Sequence, residues 1–383
     1  MPIFDQGYQH WNGALTGHAW RWLAITRHGV RAGLKNRLLR IVLFVAWSPA
    51  LALAFIVSIW GLAEHKSATI QPYLNLLSFL DSRIIADPRH YRVEIWTFGY
   101  HYFLWLELRL SLVLILLVGP SLISQDLRFN SLPLYFSRPL RRMDYFLGKL
   151  GIIVAYMAMV VIIPSIVAYI LGMAFSFDIS ILKDTFRILV SSVLYGLIIA
   201  LSGGTLILAL SALARNSRYV ALTWIGVCLL SSITSGILVG VKEQQDQQKL
   251  YRQLEANMGF NVRPPPNETQ DQRIRRYRAQ AAVRNALFAE VRIEELKASA
   301  HDWRPLVSYT TDLSRLGNVL LGTDDTWRRL YAELYPEDTR GLFVSTYLGP
   351  QFPWYWSAYV LLGLFGLSAC ILKLSIKSLD RLK

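Results

Sequence analysis

Residues 119–150 read GPSLISQDLRFNSLPLYFSRPLRRMDYFLGKL. The stretch leaves one long apolar segment and enters the next at Gly148-Lys149. Between the two stand Asp126, the arginines Arg128, Arg138, Arg141 and Arg142, and two prolines, Pro133 and Pro139, which hold any helix there to short pieces. Asp144 is placed to cap the helix that becomes the following segment. Such a polar interval between apolar runs is what a chain that crosses a membrane repeatedly must contain, so the flanks decide the fold.

Working outward, 53% of the 383 residues are hydrophobic and 17% charged, with a mean hydropathy of +0.32, well to the apolar side of an ordinary soluble domain. A span needs about 20 mainly apolar residues to cross a hydrocarbon core of roughly 30 Å. Six segments meet that requirement: 41–63, 103–124, 150–173, 188–213, 219–241 and 354–374. The reading is an all-α membrane protein with six transmembrane helices. Twelve Trp and nineteen Tyr suit it, because amphipathic rings favour the headgroup zone. Pro164 in the third span and Gly203-Gly204 in the fourth mark kinks or close helix contacts, which a bilayer tolerates when neighbouring helices cover them. Cys228 and Cys370 lie inside apolar runs and offer no disulfide framework. The first residues lack a basic stretch followed by an apolar one, so a cleaved signal peptide is not expected.

Charge orients the bundle. With both termini cytoplasmic, segments 1–40, 125–149, 214–218 and 373–383 hold seventeen Lys/Arg against four Asp/Glu. Loops 64–99 and 174–187 balance, and the insert 242–352 has sixteen basic and fifteen acidic residues. Almost all of the formal charge of +14 thus falls on one side, as the positive-inside bias predicts for a cell-membrane protein. The isoelectric point of 9.8 needs no nucleic acid to explain it, since a nucleic-acid binder would gather its basic residues in the soluble part.

The expected division is a cytosolic N-terminus over 1–40, spans one to five over 41–241 with the loop 125–149, an extracytoplasmic insert over 242–352, and the sixth span with a basic tail over 353–383. Within residues 19–40, Trp20, Leu23, Ala24, Val30 and Leu34 share a helical face, with Arg21, Arg27, Arg31, Lys35 and Arg37 largely off it. This fits an amphipathic helix in the membrane interface, or an extra cytosolic turn leading into the first span. The insert is read as mainly helical. Its start continues the fifth span outward, Pro264-Pro265-Pro266 breaks it, and a stretch over 268–300 carries Ile274, Tyr277, Ala281, Phe288 and Val291 as a buried stripe. A helical hairpin standing on the membrane is the simplest picture.

No GxxxxGK[ST] loop, HExxH or GxSxG motif occurs, so the chain has neither a P-loop for ATP nor a constellation for enzymatic work, and no metal site. Glu107 and Arg109 are intramembrane ionisable groups, candidates for function because burying them is costly. Two residues apart on a helix, they point to nearly opposite faces. Either one lines a pathway, or the span starts later and both sit among the outer headgroups.

Three pieces of the opening stretch resemble a known family. Gln125-Asp126-Leu127-Arg128, then Ser137-Arg138-Pro139-Leu140-Arg141-Arg142, then Leu147-Gly148-Lys149-Leu150 are similar to the pattern of ABC transporter permeases of the ABC-2 type. Asp126 stands where members usually carry glutamate. The resemblance covers the membrane part and implies an exporter subunit that works as a homo- or heterodimer in the lipid bilayer, with the translocation path between the two permeases. It implies a separate ABC ATPase that holds the ATP and Mg, this chain needing no cofactor. It also implies a coupling loop in which Gln125, Asp126, Arg128, Ser137, Arg138, Pro139, Arg141, Arg142, Gly148 and Lys149 transmit the motion of that ATPase. Two other classes fit the layout: a membrane enzyme acting on lipid or glycan through the external part, and a non-transporting scaffold.

Overall fold

The computed structural model describes residues 20–65, 81–136, 140–176, 178, 180–258, 269–278, 281, 301–334 and 351–379. They are overwhelmingly helical, and six helical runs are long and apolar enough to cross a membrane. The first run, Arg37–Glu64, combines α2 (Arg37–Val45) and α3 (Ser48–Glu64), after a separate α1 (Arg21–Gly33). A one-turn α4 (Ser82–Ala86) precedes the second span, α5 (Arg92–Arg128), and α6 (Leu132–Phe136) lies in the loop that follows. The third span joins α7 (Arg142–Met157) to α8 (Ile163–Ser176), and the fourth and fifth are α9 (Ser180–Leu213) and α10 (Ser217–Met258). Two shorter helices, α11 (Tyr309–Leu321) and α12 (Thr323–Leu334), come before the sixth span, α13 (Trp354–Leu379). One end of the bundle thus carries Arg128, Arg141 and Arg142 and is called the basic end; the other is the insert end.

Breaks in the helices are absorbed by neighbours. Pro120 stands inside α5, and the Ser211 hydroxyl of α9 ties the turn that follows it: it donates to the Pro120 carbonyl at 2.9 Å and accepts from the Ile123 and Ser124 N–H groups at 3.1 and 2.9 Å. Ahead of Pro164, residues Ala158–Ile162 widen into a π-helical turn closed by the Ile163 N–H on the Ala158 carbonyl. At the insert end α3 and α8 come so close that a Cβ on Gly61 would stand 2.8 Å from the Ser176 nitrogen.

The second span begins at Arg92, eleven residues ahead of the 103–124 expected from hydropathy. Its early turns are polar because they face protein. The Arg92 side chain, 5% exposed, holds Glu64 of α3 at 2.6 Å, Asp178 at 3.0 Å, and Asp184 and Ser180 of α9 at 3.1 and 2.9 Å. Further along, Phe98 meets the Trp327 ring of α12 with 4.2 Å between centroids.

Part of the insert differs from a hairpin standing on the membrane. Residues 301–308 run inward along α10: Asp302 pairs with Lys242 at 3.2 Å, the Arg304 carbonyl accepts from Ser235 at 3.2 Å, and the Ser308 and Ser232 hydroxyls lie 3.3 Å apart. The chain then reverses, and α11 climbs back along α9, with Tyr309 3.1 Å from Ser202 and the Leu320 carbonyl accepting from Ser191 at 2.7 Å. Residues 301–321 therefore form a re-entrant unit between the spans. The Ser357 hydroxyl of α13 donates to one oxygen of the fully buried Asp312 at 2.8 Å, while the other oxygen has no hydrogen-bond partner among the described residues. The fifth span continues as helix to Met258, as expected. Ile274 and Tyr277, expected on a buried stripe, are 43% and 63% exposed, while Phe288 and Val291 fall outside the described residues.

The first helix packs against the third span. α1 stands beside the first turns of α7 and runs the same way, with Ile25 against Gly148, Gly29 against Ile152 and Tyr156 donating to the Val30 carbonyl at 2.9 Å. Its protein-facing stripe is Trp22, Ile25, Thr26, Gly29, Val30 and Gly33, whereas Trp20 and Leu23 of the expected apolar face are 67% and 44% exposed.

Candidate functional site

The loop between the second and third spans is built around Asp126 and Lys149. Asp126 lies two residues before the end of α5 and Lys149 about two turns after the start of α7, so closing the loop brings them together. Lys149 Nζ sits 2.7 Å from Asp126 Oδ2, with side chains 9% and 16% exposed. The Tyr145 hydroxyl donates to the same carboxylate oxygen at 2.7 Å. The ammonium also lies 5.4 Å from the Tyr145 ring and 5.6 Å from the ring of Tyr135 on α6. One ion pair and two aromatic rings thereby tie α5, α6 and α7 into a single bracket.

The expected coupling residues divide over this frame. Asp126 and Lys149 turn inward and bond each other. Gln125 and Arg128 are exposed at the end of α5, the Arg128 guanidinium 5.6 Å from the Phe129 ring. Arg141 and Arg142 are exposed at the start of α7, where Asp144 caps the helix by accepting from the Arg141 N–H at 3.0 Å. Gly148 is buried under α1: a Cβ there would meet Ile25 at 2.7 Å, and its carbonyl accepts from the Thr26 hydroxyl at 3.0 Å. Ser137, Arg138 and Pro139 lie outside the described residues.

Three large apolar side chains, not singled out by the sequence reading, surface between the arginines. Phe129, Leu134 and Met143 are 70%, 72% and 65% exposed, beyond the apolar core of the spans. Nothing in the sequence set them apart, since the loop also holds Leu132, Tyr135, Phe136, Leu140, Phe146 and Leu147. Tyr135 and Tyr145 were missed as well, because rings in a loop read as ordinary headgroup anchors.

Glu107 and Arg109 separate as their spacing predicts. Glu107 is fully buried on α5, and neither carboxylate oxygen has a hydrogen-bond partner among the described residues; the Ser111 hydroxyl one turn on is likewise unsatisfied. Arg109 is exposed, donates to the Trp105 carbonyl at 2.6 Å and stacks 3.6 Å above that ring. The helix begins fifteen residues before Glu107, so this carboxyl lies within the bundle and not at its rim.

Six spans, a re-entrant unit and a bracketed basic loop describe an integral membrane protein. The chain belongs to the ABC-2 transporter family: the family described as ABC-2 family transporter protein matches residues 108–325, more than half of the sequence. No individual curated protein matches the chain.

Proposed function

We propose that this multi-pass protein is the permease subunit of an ATP-driven exporter in the cell membrane, moved by a separate ABC ATPase that holds the ATP and Mg and docks on the basic end. Both termini and the loop 125–149 face the cytoplasm, and two permeases enclose the path. The observation that carries this reading is the exposed Phe129, Leu134 and Met143 set among Arg128, Arg141 and Arg142. Apolar groups outside the hydrocarbon zone and rimmed by charge are the composition of a protein interface. The single-sided charge of the sequence gives the same orientation.

The bracket then supplies the linkage. Closure of the ATPase pair on ATP binding would press on α6 and the start of α7, and the Asp126–Lys149 pair would carry the displacement into the second and third spans together. The division into 1–40, 41–241, 242–352 and 353–383 follows this role, except that part of the insert helps to build the bundle.

Co-purification tests the reading. Detergent-solubilised protein should bring down an ATP-hydrolysing partner, and Leu134→Glu combined with Arg141→Glu should abolish the association while the permease stays folded. A stable permease that retains no such partner in detergent or in nanodiscs sinks the proposal.

A further inference from the structure

A cleft of about 930 Å³ opens at the basic end between α1, the end of α5, α6 and the start of α7. That volume lies near the top of the roughly 300–1,000 Å³ range of small-molecule sites. One wall follows a single side of α1, where Arg21, Ile25, His28 and Ala32 recur at three- and four-residue steps. Because α1 runs beside α7 in the same direction, depth along the cleft can be read from residue number. Arg21, Gln125 and Lys149 mark the outer part, toward the end of the bundle. Leu117 and Val118, two turns further into α5, and Leu39, past the end of α1, line the inner part.

The lining is therefore mixed: Arg21 and His28 stand beside the Lys149–Asp126 pair, and Leu117, Val118 and Leu39 supply apolar surface deeper in, with Asn36 and Ser121 among them. A ligand that matches both parts has a negatively charged head and an apolar tail, and enters from the membrane leaflet at that end.

We infer that the cleft binds one phosphate-headed lipid per chain, the phosphate beside Arg21 and His28 and an acyl chain against Leu117 and Val118. The lipid would buttress α1 against α7 next to the bracket, making the composition of that leaflet a modulator of coupling. The inference rests on the cleft and not on the transport reading, and it is measured on the permease alone.

The test is native mass spectrometry of the full chain released from nanodiscs of phosphatidylcholine with phosphatidylglycerol. One phosphatidylglycerol should be retained per chain in preference to phosphatidylcholine. Ala24→Trp, at an exposed position on the cleft wall, and His28→Glu, also exposed, should each lower retention about tenfold, the loss of one charge-assisted contact or of the space itself. Unselective retention of both lipids, or retention by both variants at the wild-type level, overturns the site. Glycerol phosphate without acyl chains, added to protein in detergent, should not protect against unfolding; protection equal to that by phosphatidylglycerol overturns the lipid assignment in favour of a free phosphate.

Discussion

Each end of the bundle holds a buried cation against acid on its second or third span, and the two arrangements are unlike. At the insert end Arg92 meets three carboxylates, Glu64, Asp178 and Asp184, which belong to two spans and a loop. At the basic end Lys149 meets Asp126 alone, with two aromatic rings around it. A planar guanidinium can hold several partners at fixed angles, whereas an ammonium is a point charge on a flexible stem. The insert end is therefore a knot that fixes α3, α5 and α9 relative to one another. The basic end is a bracket that holds three elements through a single ion pair and two rings.

The largest expected effect comes from cutting the knot. Arg92→Ala leaves Glu64, whose side chain is fully buried, without its counter-ion, and should cost about 3–5 kcal/mol. Thermal unfolding in detergent reads this, and Arg92→Lys should recover only part of it. If Arg92→Ala melts like wild type, the insert end is not what holds the spans together.

Lys149→Met should cost less, about 1–3 kcal/mol, since Asp126 is partly exposed and keeps the Tyr145 hydroxyl. A double-mutant cycle with Asp126→Asn isolates the pair. On the proposed function, either single change should uncouple transport from ATP hydrolysis well before it unfolds the protein. Loss of stability and of coupling in strict proportion would make the bracket a second knot.

Glu107 sharpens the contrast from the middle of the bundle. A fully buried carboxyl with no partner costs stability, so Glu107→Met, of similar volume, should raise stability by about 1 kcal/mol. A higher melting temperature with transport abolished assigns the residue to function; a higher melting temperature with transport intact assigns it to neither end's machinery.

The smallest effect concerns Asp178. Hydrogen bonds from the Ser180 hydroxyl and N–H, and then from Arg92, hold its carboxyl well below the ordinary value of 3.8. A depressed folded-state value contributes stability that is complete above the unfolded value and is lost as pH falls through the folded one. The melting temperature should therefore decline below about pH 4, and Asp178→Asn should flatten that decline. An unchanged slope would remove Asp178 from the knot.

Hydropathy made the six spans legible, because apolar runs of such length have few other uses. It placed the start of the second span eleven residues late, since Arg92, Glu94 and His101 dilute a segment that packs against other helices, with Arg92 paired to Glu64 of α3 and Asp184 of α9. The same cause hid the re-entrant α11, which carries Asp312, Arg315 and Asn318 into a place where lipid would forbid them but protein does not. In the loop, the sequence pointed to Asp126 and Lys149 individually. It could not show that they meet each other, as they are twenty-three residues apart and no local pattern encodes the closure.

The π-helical turn at Ala158–Ile162 has a further meaning for the third span. One extra residue in a single turn advances everything after it by about 100° around the axis. The span is thus two half-helices spliced out of phase: Gly148, Ile152 and Tyr156 address α1, while Gly172 and Ser176 address α3 and α5. Deleting one residue from that turn would leave composition and length almost untouched, yet it would turn one half's contact face toward the other half's neighbours.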